Sequence, residues 1–489
     1  MKKSVKICML FTWVLLFVLL LQRDYFVKTL DIREAQIIKQ AKEESFLGVY
    51  FQGQRIGYVK YRLAETANGV FTLFQDAFLR LNILNEIHPV NMKLQAQLNS
   101  EFLLQNFNFQ LTSPFYGMEA SGTVENNIVH FSINTGKQTI TDEIRLERPP
   151  FLSTNQRGYL LKQNLKAGDK IKIPYFDPIS LAGKDTIMEY RGLEKILIKG
   201  RIHKLHHFTE TFSGIRINSW LDNNGKVIKE ESPAGFVFMN EPEFQATSII
   251  GKGSEILGAV SVPLQGKMPD VSNLQSIRYR LQLPEGGEFD LAGGRQTLDG
   301  TILTVTHELF PLQDASPCLD KKKESASTPY IQSDNPLIKT QAESISERYQ
   351  APFEKIKALT RWVYGTLEKR PVIGIPDALT TLTTKKGDCN EHAALFAALA
   401  RSIGVPTRVA AGVMYHKGAF FYHAWNEVCL DGKWISLDST LNQIPADLTH
   451  IRFVHGETQE MIRIGALIGK LQIEVLQEPK KSSHNKHRD

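Results

Sequence analysis

Cysteine is scarce in this sequence. The 489-residue chain has four, Cys8, Cys318, Cys389 and Cys429. No set of Cys, Asp or Glu with metal-ligand spacing surrounds the one histidine cluster, His203, His206 and His207, so the expectation is no bound metal and no cofactor. No acidic loop resembles a calcium site. The net charge of +6 is spread along the chain and does not gather into a basic stripe with interleaved aromatics, which argues against nucleic acid as a partner. No internal repeat of fixed period occurs, and no helix-period segment of useful length lies between about residues 50 and 250.

Long apolar runs are also missing, apart from the first. Lys2, Lys3 and Lys6 precede an apolar stretch from Ile7 to Leu21 that only Thr12 interrupts. As a helix its fifteen residues would reach about 22 Å, short of a hydrocarbon core of about 30 Å, with flanking Lys and Arg able to snorkel. A cleaved signal peptide needs small residues after such a run, and QRDYFVKTL offers none, so the stretch reads as an uncleaved signal anchor over residues 1–26. Basic residues held in the cytoplasm would send the rest of the chain across the inner membrane, as a single-pass protein with its bulk in the periplasm. Three cysteines then lie on the exported side, an odd number that leaves at least one thiol outside any intrachain pairing.

The expected fold class is multidomain: an N-terminal membrane helix, an antiparallel β-rich region and a C-terminal α+β domain. Residues 27–45 read as a helical stalk. From 46 to 261 the texture is strand-like, with a turn at Gly53, a hairpin signal at Asn224-Gly225 and short strands punctuated by Gly and Asn. Residues 262–315 read as a second, small β-rich domain, and 316–334, containing DKKKESASTPY, as a charged linker. Helical spacing returns after Asn335 and opens a domain over 335–475, followed by a disordered tail over 476–489.

That last domain carries the chemistry. In GDCNEHAALFAALARSIGVP, Asp388 and Glu391 have capping-box spacing, which makes Cys389 the first residue of a helix with an apolar body. Unpaired N–H groups and the helix dipole at that end predict a lowered thiol pKa. In FFYHAWNEVCLDGKWISLDST, Asp431-Gly432 is a two-residue hairpin turn. Counting outward from it places His423 and Asp438 on one face as diagonal cross-strand neighbours. Asp438 can then hold one imidazole nitrogen while the other faces Cys389, and a thiol nucleophile needs such a base and such an orienter.

Three blocks, GDCNEHAALFAALARSIGVPTRV, YHAWNEV and WISLDST, resemble the transglutaminase-like superfamily, whose architecture is related to papain-type thiol enzymes. The similarity is strongest to exported bacterial members, in which a THI block follows the aspartate, here Thr449-His450-Ile451, and it spans about residues 335–455. The resemblance implies Cys389 as nucleophile, His423 as general base and acid, and Asp438 as orienter. It implies acyl transfer from an amide of a protein or peptide, cell-envelope substrates among them, through a thioester that water or an amine resolves. The alternative is a binding or scaffold protein that uses the fold without turnover. Trp362 reads as the core face of its helix, Trp425 and Trp434 as core aromatics, His392 as structural or solvent-facing, and Gln443 as a residue lining the cleft. The sequence assigns no oxyanion donor.

Overall fold

The structure, a computed structural model, describes residues 28–29, 44–66, 69–136, 139–152, 157–178, 182–212, 214–284, 287, 289–308, 318 and 321–476. The chain divides into two compact units, Met1–Ala259 with Pro371–Ile375, and Val260–Arg370 with Pro376–Asp489.

The first unit is one 15-stranded sheet. Its strands are β1 (Lys28–Thr29), β2 (Ser45–Phe51), β3 (Gln54–Glu65), β4 (Phe71–Ile83), β5 (Glu86–Leu98), β6 (Leu104–Ser113), β7 (Tyr116–Glu125), β8 (Ile128–Asn134), β9 (Thr139–Arg145), β10 (Lys170–Asp177), β11 (Ala182–Ile198), β12 (Arg201–Phe212), β13 (Ile215–Leu221), β14 (Val227–Glu231) and β15 (Phe236–Glu241). Sequence alternation explains the sheet's two faces. In β5, His88, Val90, Leu94, Ala96 and Leu98 are buried while Pro89, Asn91, Lys93, Gln95 and Gln97 face water. The order runs β1-β10-β11-β12-β13-β14-β15-β2 and on in sequence to β9, antiparallel except for the short β1–β10 pair. Phe151 closes the sheet on itself by bridging Leu103 at the start of β6 and Tyr175 in β10. The closure is hydrogen-bonded, Leu104 N–H to Pro150 O at 2.9 Å and Phe151 N–H to Pro174 O at 3.0 Å.

The second unit holds a 9-stranded sheet and four helices of seven residues or more. The strands in chain order are β16 (Val262–Gln265), β17 (Ser276–Gln282), β18 (Gln296–Asp299), β19 (Ile302–Thr306), β20 (Glu368–Lys369), β21 (Lys386–Gly387), β22 (Thr407–His416), β23 (Ala419–Leu430), β24 (Lys433–Leu437), β25 (Ile451–His455) and β26 (Gln472–Leu476), of which β20 and β21 pair separately. The helices are α1 (Pro336–Ser346), α2 (Pro352–Thr366), α3 (Ala378–Thr384) and α4 (Cys389–Ser402). The body of α4, Ala393 to Ala400, is apolar all round, and Leu395 to Ala400 are all fully buried, which makes it the central helix of the unit. It packs with α1 and α2 against Val409, Val428, Ile435 and Leu437 of the sheet.

Two sequence expectations change here. The fold class is corrected: the chain is predominantly β, 50% strand and 19% helix, with a large antiparallel sheet ahead of the C-terminal domain, and no helix among the described residues is long and apolar enough to cross a membrane. The expected membrane helix over 1–26 lies outside the described residues. Of the expected helical stalk, residues 28–29 form a strand against Ile171 and Lys172, and 30–43 lie outside the described residues. The strands read as a small domain over 262–315 lie in the same sheet as β22 and β23, joined through β26 and β16. A charged linker separates these segments in sequence, but β26 pairs both with β16 and with β17.

Candidate active site

The capping box expected at the start of α4 is present. The Asp388 side chain accepts from the Asn390 N–H at 2.8 Å, and Glu391 Oε2 accepts from the Asp388 N–H at 2.9 Å. Gly387 is required by this arrangement, because a Cβ there would sit 2.3 Å from the Glu391 side chain. Cys389 is half-buried and is the free cysteine among the described residues.

The hairpin forms as counted. Leu430 pairs with Lys433 across Asp431 and Gly432, whose φ angles of 49° and 78° suit a tight turn. His423 Nε2 lies 2.8 Å from Asp438 Oδ2. With that nitrogen engaged, Nδ1 is the one left for a thiol. The backbone N–H of Ala424, the residue after His423, acts to lower the Cys389 pKa. Opposite His423 in the sheet is Gly412, where a Cβ would fall 1.9 Å from the Ile451 carbonyl, so only glycine lets β25 approach there.

Asp438 is wholly buried and saturated. Oδ2 meets His423 Nε2 at 2.8 Å and His450 Nε2 at 3.2 Å, while Oδ1 accepts from the N–H groups of Thr440 at 2.7 Å and Leu441 at 3.2 Å. Burial alone would raise this carboxyl, but the charges and hydrogen bonds of His423 and His450 hold it far below the usual carboxylate range. His450 is equally buried and uses its other nitrogen, Nδ1, on Asp447 Oδ1 at 3.0 Å. Burial would lower its pKa; its bonds to Asp438 and Asp447 outweigh that and raise it. A chain His423–Asp438–His450–Asp447 results. Trp425 packs both imidazoles, stacked against His423 at 6.2 Å and edge-on to His450 at 5.2 Å.

The thiol differs from expectation. Burial pushes the Cys389 thiol up, the neighbouring Asp388 carboxylate pushes the same way, and the Ala424 N–H only partly offsets them; Glu391 and Asp438 add to the rise. Withdrawal from water and three acidic neighbours thus set the direction of the shift, upward rather than downward.

Residues of the β-rich segment brace this site. Arg295 is buried and donates to the carbonyls of Ala446, of Asp447 at 2.7 Å and of His450 at 3.1 Å. Tyr279 donates to Leu448 O at 3.0 Å. Gln443 spans the same loop, with Nε2 3.1 Å from Asp447 Oδ2, and its backbone pairs with that of Asp438 at 2.9 and 3.0 Å. Sequence reading named His450 only as part of a block and left out Asp447 and Arg295. Trp362 packs partly buried against the core, and Trp434 packs beside a disulfide between Cys318 and Cys429. His392 is fully buried, with Nδ1 2.6 Å from Asp388 O.

One metal-like grouping occurs among the described residues. The ligand atoms of His423, Asp438 and His450 lie within 4.8 Å of one another. Both imidazoles meet the carboxylate at hydrogen-bond distance, and His450 is held from its far side, so the set forms a hydrogen-bond chain. The His203–His207 run forms no such group: His206 meets the Tyr190 hydroxyl at 2.9 Å, and His207 meets Glu194 at 2.9 Å.

A free cysteine at a capped helix start and a histidine bonded to a buried aspartate lie within one domain. Residues 339–439 match the family model of the transglutaminase-like superfamily, so this segment is a transglutaminase-like domain, and the match includes Cys389, His423 and Asp438 but stops short of His450. An uncharacterized protein of Haemophilus influenzae is 27% identical over 124 residues, which is 22% of this chain; the chain spans about a third, 33%, of that relative's length. Among solved structures, a candidate cysteine protease from Cytophaga hutchinsonii is similar at 18% identity and a TM-score of 0.26, over 40% of this chain and 83% of that one. A beta-barrel-like protein of a domain of unknown function from Brucella abortus is similar at 11% identity and a TM-score of 0.32, over 40% of this chain and 94% of that one.

Proposed function

We propose that the C-terminal domain is a thiol enzyme that acts on amide bonds of proteins or peptides, with Cys389 as nucleophile, His423 as general base and acid, and Asp438 as orienter. The observation that carries this reading is the 2.8 Å bond from a saturated, ionised Asp438 to His423, beside a free thiol at the start of α4. With burial raising the thiol's pKa, attack and deprotonation are coupled. The S–H proton passes to His423 Nδ1 as sulfur bonds to the carbonyl carbon. The imidazolium, steadied by Asp438, then gives that proton to the leaving nitrogen as the C–N bond breaks, leaving a thioester. Water attacking the thioester, with His423 again as base, gives hydrolysis and restores the thiol. An amine in place of water gives transfer.

The Cys318–Cys429 disulfide favours an oxidising, extracytoplasmic compartment for this chemistry. The raised thiol also favours one competing reading, a transglutaminase-like fold that binds peptides without turnover. Release of amine or ammonia from a peptide-amide library separates the two. Turnover by the wild type that disappears in Cys389→Ala supports the enzyme. A wild type that binds peptides but turns none over, or turnover that survives Cys389→Ala, overturns it.

A further inference from the structure

The first unit contains a partly open cavity of about 240 Å³. Protein interiors pack at nearly crystalline density, and an apolar void of about 150 Å³ is already large enough to take up benzene. The space arises where β2 to β5 face β10, β14 and β15 across the closed sheet. Strand alternation makes most of its wall apolar, with Leu47, Ala77, Leu94 and Phe238 on it. The remainder is polar: Tyr61, Gln75, Tyr175, Arg157, Asp177 and Glu230. An apolar wall with a few convergent polar groups is the general make-up of a small-molecule site.

The polar part selects the head group. Arg157 Nη1 lies 3.3 Å from Glu210 Oε2, and Nη2 lies 3.5 Å from Glu230 Oε2. Glu230 Oε2 also accepts from the Ser219 hydroxyl at 2.9 Å. An anion entering here meets Glu230 and Asp177, and a cation meets Arg157, so a charge of either sign faces a like charge. Burial pushes the Tyr61 hydroxyl up, with Glu230 adding to the rise, which keeps it a neutral donor. Among the described residues this hydroxyl has no hydrogen-bond partner.

We propose that this cavity binds an uncharged amphiphile, its apolar chain along Leu47, Ala77, Leu94 and Phe238 and its hydroxyl- or amide-bearing head between Tyr61 and Glu230. The site is independent of the thiol chemistry, and Cys389→Ala protein should bind as wild type does.

The test is uptake of the fluorophore N-phenyl-1-naphthylamine by the full chain, followed by competition with monodecanoylglycerol, decanoate and decylamine. Saturable uptake is expected, with monodecanoylglycerol displacing the probe at least about tenfold better than either ion, a gap of about 1.4 kcal/mol. Ala77→Trp, which fills the space, should cut probe affinity by a similar factor. Tyr61→Phe, which keeps the volume, should retain the probe and weaken monodecanoylglycerol alone, and it serves if Ala77→Trp does not fold. Absence of saturable uptake, equal or better displacement by an ion, unchanged binding in Ala77→Trp, or unchanged monodecanoylglycerol affinity in Tyr61→Phe would overturn the proposal.

Discussion

Asp438 in the second unit and Arg157 in the first are both buried charges, and their surroundings differ. Asp438 accepts four hydrogen bonds, from His423, His450, Thr440 and Leu441, at 2.7 to 3.2 Å. Arg157 meets the Glu210 and Glu230 carboxylates at 3.3 and 3.5 Å, longer than the 2.7–2.9 Å usual for charge-assisted bonds, and the Ser219 hydroxyl at 3.4 Å, among other partners. A saturated buried network holds one geometry, because any displacement leaves a costly unpaired group. That suits a residue which must keep an imidazole in one orientation through a reaction. The Arg157 set lines the cavity, which suits a site that accommodates a guest.

The largest effect expected within this contrast is on turnover. Removal of Cys389 or of His423 should each cost at least about 10⁴-fold in kcat, and the double variant should cost little more, because residues acting as a unit are not additive. Additive losses in a kinetic cycle would mean that the two do not act together.

Next in size is the disulfide. It closes a loop of 111 residues within the second unit, so Cys318→Ser with Cys429→Ser should lower that unit's stability by about 2–5 kcal/mol. Hydrogen exchange resolved by segment should show faster opening in β22–β24 and unchanged protection in β4–β6. Equal loosening in both sets would erase the distinction between the units.

His450→Gln should cost about 3 kcal/mol near pH 6, because it removes one side of a buried pair. His450 has a raised pKa in the folded protein. Its contribution is therefore full below the unfolded histidine value of about 6.5 and fades as pH rises through the folded value, so the gap between wild type and variant should narrow toward alkaline pH. Denaturant melts at several pH values would show it, and a gap that widens with pH contradicts an imidazolium at this position. Arg295→Ala should cost about 2 kcal/mol through three freed carbonyls and should lower kcat through the loosened 446–450 loop. An unchanged kcat would reduce Arg295 to a stability role.

The smallest effect concerns the thiol itself. Alkylation of Cys389 by iodoacetamide should rise with pH through a midpoint above the free value of about 8.5. Asp388→Asn should move that midpoint down, since Asp388 is the largest charged contributor to the rise. A wild-type midpoint below the free value would restore the expectation drawn from the helix end alone.

Much of the candidate site was legible because its parts are local. The box joining Asp388 and Glu391 spans one helical turn, and the His423–Asp438 bond follows from counting out from a two-residue turn. The β texture of residues 46–261 was legible for the same reason, from alternation and turn residues. His450, Asp447 and Arg295 were not, because Arg295 reaches the His450 carbonyl across 155 positions and no periodicity records such a contact. The placement of β16–β19 in the C-terminal sheet was hidden likewise, since it depends on β26, which follows the whole helical segment.

By itself, then, the sequence determined the strands, the capped helix that begins at Cys389, and the hairpin that carries His423 toward Asp438, since each depends on patterns a few residues long. Tertiary structure decided the closure of the first sheet at Phe151, the cavity, the second histidine on Asp438 and the direction of the thiol's shift. Those depend on which distant groups meet and how much water they exclude, and neither has a signature in sequence order.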